Sequence, residues 1–123
     1  MSATYSHLRD NSQEFELHLL LEGQQNTQVS SEVDVTHAKS LALYTKGNSS
    51  AVAGGTVLIE GSPISAHPGT WKSLGSITVP AGTALGAVSV TDGDDGFPTR
   101  FVRARISGQI ANGNVDVYLV VQR

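Results

Sequence analysis

Cysteine is absent from all 123 residues, which removes disulfides, cysteine-based zinc sites and thiol redox chemistry together. Charge is scarce as well: Asp, Glu, Lys and Arg make up 15% of the chain, against about 25% in an ordinary soluble domain. The balance is slightly acidic, with a net charge of -3 and a pI near 5.7. A nucleic-acid module normally advertises a basic patch and a high pI, so no nucleic-acid partner is expected. The longest apolar run, Leu19-Leu20-Leu21, is far too short to span a bilayer. Met1-Ser2-Ala3-Thr4-Tyr5 lacks the basic start and apolar stretch of a secretory signal. No membrane partner is expected, and the chain reads as one made in a cytoplasm. Aromatics are 6% and dispersed, so the sequence offers no platform of stacked rings for a glycan. No segment holds a 3.6-residue period for three turns, and there is no internal repeat.

Short alternating segments fill the space these absences leave. Phe15, Leu17, Leu19 and Leu21 share one parity, with Glu14, Glu16, His18 and Leu20 on the other, which predicts a strand ending at Gly23. Val29, Val33 and Val35 predict a second, interrupted at Ser30-Ser31. Leu41, Leu43 and Thr45 predict a third, closed by Lys46-Gly47-Asn48. Thr56–Glu60 is compact and β-branched, Trp71–Val79 follows a loop framed by Pro63 and Pro68, and Leu85–Thr91 runs into Asp92-Gly93-Asp94-Asp95-Gly96. The spacing of about eight strands predicts an all-β fold: a single antiparallel β-sandwich, jelly-roll-like if the long-range pairing is Greek key, over residues 13–123. Residues 1–12 are polar and mixed without a strand period, and read as an extended N-terminal arm, disordered in the free protein and ordered on a partner.

Groups for catalysis are sparse. His7, His18, His37 and His67 are scattered and none stands four residues from another as in a helical zinc site. His18, on the polar parity of its strand, reads as a surface residue. No Gly-x-Ser-x-Gly elbow, P-loop or Gly-x-Gly-x-x-Gly run occurs. The Asp92–Asp95 loop has the oxygen ligands and glycines that suit calcium, yet it lacks a downstream bidentate Glu, and Asp and Gly are ordinary turn residues. Trp71 reads as a core or rim anchor rather than a sugar-stacking plate. The expectation is a protein that is not an enzyme, with no catalytic residues, no bound metal and no cofactor.

The end of the chain carries the strongest pattern. Thr99–Ser107 and Val115–Val121 alternate on either side of Asn112-Gly113, the dipeptide favoured in two-residue hairpins because both central residues need positive φ. Folding there sets Ile110 opposite Val115, Ile106 opposite Leu119, Ala104 opposite Val121 and Arg105 opposite Val120. Val102, Ala104, Ile106, Val115, Val117, Leu119 and Val121 then form the buried face. The other face gathers Phe101, Arg103, Arg105, Tyr118 and Val120. It has two readings: an ordinary outer surface with arginine stems lying over their neighbours, or a protein interface, where arginine and aromatics are enriched.

Thr56-Val57-Leu58-Ile59-Glu60-Gly61-Ser62, Thr70-Trp71-Lys72-Ser73-Leu74-Gly75, Arg100-Phe101-Val102-Arg103-Ala104-Arg105-Ile106 and Val115-Asp116-Val117-Tyr118-Leu119 together resemble small virion proteins of tailed bacteriophages. The resemblance covers about Thr56 to Val121 and departs from that pattern at Pro63 and Pro68. It implies a β-sandwich that decorates or cements a capsid from outside, carried on the virion after synthesis in the host cytoplasm. The implied partners are the major capsid protein and other copies of the chain, as a dimer or trimer, with Phe101, Arg103, Arg105, Tyr118 and Val120 as the interface. A receptor- or carbohydrate-binding module of a phage tail or fibre is the alternative.

Overall fold

Alternation turns into strand pairing throughout the computed structural model, which describes residues 3–10, 13–64, 71–91 and 99–123. Ten strands and no helix occur among them: β1 (Ala3–Asp10), β2 (Gln13–Gln24), β3 (Gln28–Val29), β4 (Val33–Asp34), β5 (Ser40–Gly47), β6 (Thr56–Ser62), β7 (Lys72–Thr78), β8 (Leu85–Thr91), β9 (Phe101–Gly108) and β10 (Val115–Gln122). One sheet runs β1-β2-β10-β5-β8. The other runs β3-β9-β6-β7, with β4 also on β9. All pairings are antiparallel. From β4 onward the chain changes sheet at nearly every connection, which is the jelly-roll route and the sandwich expected from strand spacing.

The core lies between the sheets. Val115, Val117, Leu119 and Val121 line the inner side of β10, and Val102, Ala104 and Ile106 line that of β9, all at 0% exposure. These are the seven residues expected to be buried. Leu41, Leu43, Val57, Ile59, Val35 and Ile110 complete the dry centre.

The hairpin expectation fails. β9 and β10 are consecutive in sequence, yet they belong to opposite sheets and do not pair. Leu119 stands opposite Leu43 and His18, and Ile106 opposite Val57 and Gln28. Arg105 stands opposite Leu58 and Val29 rather than Val120. Asn112 does take φ 60, but Gly113 sits at φ 159, outside the geometry of a two-residue hairpin turn. Ile110, fully buried, anchors the crossing between the sheets, and its N–H donates to the Gln25 carbonyl at 3.0 Å. Gly55, at φ 123, is required beside it: a Cβ there would overlap the Ile110 side chain.

Two further expectations are corrected. Ala3–Asp10 forms strand β1 on the outer edge of β2, with Asp10 paired to Gln13, where the sequence offered no strand period. Backbone pairing to an open edge needs no alternation of side chains, so the pattern carried no signal. In β2, the register against β10 shifts between Leu21 and Leu19, so Leu20 is an extra residue in a bulge. Parity inverts there. His18 pairs with inward-facing Leu119 and is 8% exposed, a buried residue rather than a surface one, while Leu17 and Leu19 pair with Val120 and Tyr118 on the outer side, where Leu19 is equally buried at 8%.

The interruption at Ser30-Ser31 is present, and Ser30 compensates for it. Its N–H donates to the Ala104 carbonyl and its hydroxyl accepts the Ala104 N–H, both at 2.9 Å. One end of the sandwich is closed by Arg123, which donates from Nε to Glu16 at 2.8 Å and from Nη2 to the Asp34 carbonyl at 3.0 Å. The Asp92–Asp95 loop, His67 and Pro68 lie outside the described residues.

Truncating Leu119 to Ala is expected to cost about 2–5 kcal/mol through lost transfer energy and a residual cavity. The same change at Leu85, 63% exposed, should cost less than about 0.5 kcal/mol. Urea unfolding measures both.

The hydrogen bond from Arg123 holds the Glu16 carboxyl below its ordinary value of 4.5, and the His18 bond adds to the effect against a partial desolvation. A depressed pKa contributes stability that is fully present above the unfolded value and is lost as pH falls through the folded one. The thermal midpoint of Glu16→Gln should therefore lie below that of the native protein at neutral pH, and the gap should close as pH drops below 4.5. A gap independent of pH would contradict the ion pair.

Candidate functional site

β9 turns Phe101, Arg103, Arg105 and Ser107 outward, because its alternate residues are locked in the core. β6 lies beside it with Glu60 opposite Arg103. Arg103 Nε donates to Glu60 Oε1 at 2.9 Å, and Arg105 Nη1 lies 3.7 Å from Glu60 Oε2. Trp71, one residue before β7, lays its ring over the Arg103 guanidinium at 4.2 Å. Cation–π stacking and a charge-assisted hydrogen bond thus hold opposite demands of one planar group. Glu60 is covered by this arrangement, with its side chain 8% exposed, and the Arg103 side chain is at 19%.

Arg105 is different. Its side chain is 50% exposed and its contact with Glu60 is the looser one. Val29 of β3, directly across from it, is 45% exposed. Together with Thr27, Gln28 and Ser107 they border an open groove of about 520 Å³. Phe101 is half-buried at the far end of the row, with the Arg100 guanidinium 5.4 Å from its ring. The surface combines one rigid arginine, one available arginine and apolar contact area.

Tyr118 and Val120 are elsewhere. Both point outward from β10, on the opposite outer face of the sandwich. The single sticky face expected from the sequence is therefore two faces. Its arginine half lies on the β9 sheet and its aromatic–aliphatic half on the β10 sheet. The latter is joined by Leu17 and Leu19 of β2 and Ala42 and Tyr44 of β5, whose register partners are Val120 and Tyr118.

Three contributors were not assigned to the site from the sequence. Glu60 shares the parity of Leu58, an outward signal, but its partner is 43 residues away. Trp71 does sit at the rim, as expected of an anchor, and its ring is engaged on one face by Arg103. Val29 reads only as a strand residue, with nothing to set it across from Arg105. No group of three His, Asp or Glu among the described residues is placed to hold a metal ion.

No family model matches the chain, and no curated protein matches it either. Solved structures do. The SPBc2 prophage-derived protein YomS superposes with a TM-score of 0.62 at 10% identity, covering 94% of this chain and 99% of that one. The K1 cleaved adhesin domain of Lys-gingipain from Porphyromonas gingivalis W83 gives 0.56 at 14%, covering 94% and 76%. The K2 adhesin domain of the same protein gives 0.55 at 14%, covering 98% and 69%. At such identities the likeness is one of fold.

The chain holds a single tryptophan, so its emission reports on the stack. Arg103→Ala should shift Trp71 emission to the red and cost about 1–3 kcal/mol, since Glu60 is left poorly partnered under cover. Arg103→Lys, which keeps the charge and loses the planar fork, should fall between the two. Unchanged emission in both variants would contradict the stacked geometry.

Proposed function

We propose that the protein is a structural virion protein that binds the outside of a phage capsid and stabilises the shell, with the Phe101/Arg103/Arg105 face turned to the major capsid protein. The observation that carries this reading is the clamping of Arg103 between Glu60 and Trp71. It fixes a guanidinium in place before any partner arrives, so little side-chain entropy is lost on docking. Arg105, Val29 and Phe101 flank it with the residue types that dominate protein interfaces. The fold likeness to a prophage-derived protein over nearly the whole of both chains supports the same reading.

Stabilisation follows from mass action. A protein that binds the assembled shell and not its dissociated subunits adds its binding free energy to the assembly, about 2.7 kcal/mol per site at a hundredfold excess over Kd. Repetition around a symmetric shell multiplies weak contacts into avidity. The reading assigns no chemical step and no cofactor. It places synthesis in the host cytoplasm and the working protein on the virion.

Co-sedimentation with empty capsids lacking the protein tests it. The native chain should pellet with them. Arg105→Glu should stay folded by circular dichroism and remain in the supernatant, because an interfacial charge reversal costs several kcal/mol. Glu60 stands beside that position, so Arg105→Ala is read in parallel and should bind with intermediate strength. Unimpaired pelleting of both variants would overturn the assignment of this face. Glycan binding without any capsid binding would put a receptor- or carbohydrate-binding module in its place.

A further inference from the structure

We infer that the hollow between the turn after β4 and the start of β9 is a binding site for a phosphate-type oxyanion. The inference does not depend on the capsid reading, which concerns the Phe101/Arg103/Arg105 face.

His37, Lys39 and Arg100 converge there on a concavity of about 360 Å³. The first two come from the connection between β4 and β5, and Arg100 immediately precedes β9. All three are exposed, beside buried Val35, Ala38 and Thr99. Their backbones are fixed. The Val35 N–H donates to the Arg100 carbonyl at 2.8 Å, which ties the two segments together, and the Arg100 N–H donates to the Ser62 carbonyl at 3.2 Å. The Ala38 N–H closes a four-residue turn on the Val35 carbonyl at 2.9 Å. Beyond it the Lys39 N–H donates to the Gln122 carbonyl at 2.7 Å. His37, the third residue of the turn, takes φ 67, where glycine is the usual occupant. A side chain kept there costs free energy, and here it adds an imidazole to the hollow.

The positive charge has no internal counterpart. Among the described residues, no carboxylate forms an ion pair with Lys39 or Arg100. The Arg100 guanidinium lies 5.4 Å from the centre of the Phe101 ring, a contact made by its plane that leaves its N–H edge open. Asp34 is close by but already occupied: its Oδ1 accepts the Thr36 N–H at 2.9 Å and the Thr36 hydroxyl at 2.6 Å. Arg123 also reaches this end of the sandwich, and it is committed to Glu16 and to the Thr36 and Asp34 carbonyls. Like charges gathered in one place repel, and an anion seated among them relieves the repulsion. A planar carboxylate is matched by the fork of one arginine. An ammonium, a guanidinium and an imidazole on two separate segments instead suit a tetrahedral group with an oxygen for each. Free phosphate and a phosphate monoester share that chemistry.

Amide NMR shifts of the full chain provide the test, followed as sodium phosphate is exchanged for sodium chloride at matched ionic strength. Phosphate should give saturable shifts centred on residues 35–39 and 99–100, and chloride should not. Lys39→Gln and Arg100→Gln should each weaken binding about tenfold, the value of one charge-assisted hydrogen bond. Lys46→Gln, at the other end of β5, should leave the affinity unchanged. Glycerol phosphate distinguishes the source. Tighter binding than inorganic phosphate assigns the site to a phosphate carried on a larger molecule, and equal or weaker binding assigns it to the free ion. Circular dichroism checks that each variant is folded, and if one is not, the position of the native shifts still decides. Shifts that do not saturate, that chloride reproduces or that centre on Arg103 and Arg105 overturn the inference. Lys39 and Arg100 variants that bind phosphate like the native chain overturn it equally.

Discussion

Two neighbouring strands that never pair hold this protein together. β9 and β10 each occupy the interior of a different sheet, and their inner rows meet across the core at 0% exposure. A sandwich of this kind packs its sheets about 10 Å apart, with side chains from both filling the gap. The short crossing between the strands, anchored by buried Ile110, ties the two layers covalently. β2 and β5 pair with β10, β3, β4 and β6 pair with β9, and β1, β8 and β7 are added outside β2, β5 and β6. Losing either inner row would remove the surface on which both sheets condense.

That constraint also decides where the outward rows go. A hairpin would have merged Arg103, Arg105, Tyr118 and Val120 into one mixed patch. The crossing sends them to opposite outer faces, so each face acquires a chemistry of its own. On the β9 side, a largely covered Glu60 orients Arg103 against Trp71 and leaves Arg105 half-exposed. On the β10 side, the bulge at Leu20 puts Leu17 and Leu19 in register with Val120 and Tyr118, with Leu17 half-buried and Leu19 buried.

Local signals in the sequence were legible and distant ones were not. The positions of β2 to β10, the break at Ser30-Ser31 and the buried rows of the last two strands all follow from alternation, a property each segment carries by itself; β1 does not alternate and was missed. Strand partners do not, because parity tells which residues face inward and not which strand lies alongside. Asn112-Gly113 misled for the same reason: the dipeptide favours positive φ, and Asn112 has it, but a tight turn and a sheet crossing can begin with the same residue. In β2 one bulge inverted the reading of His18, Leu17 and Leu19 together, since a single inserted residue swaps faces. At the candidate site Arg103 and Arg105 were recognisable from residue type. Glu60 and Trp71 were not assignable to them without the β6–β9 pairing.

The central claim is that the β9 face, and not the β10 face, is the one proposed to meet the capsid. Hydroxyl-radical footprinting tests it directly, because aromatic side chains are reactive and both faces carry them. On addition of empty capsids, Phe101 should become protected while Tyr44 and Tyr118 keep their reactivity. Protection of Tyr44 and Tyr118 with Phe101 left reactive, or of none of the three, would contradict the account.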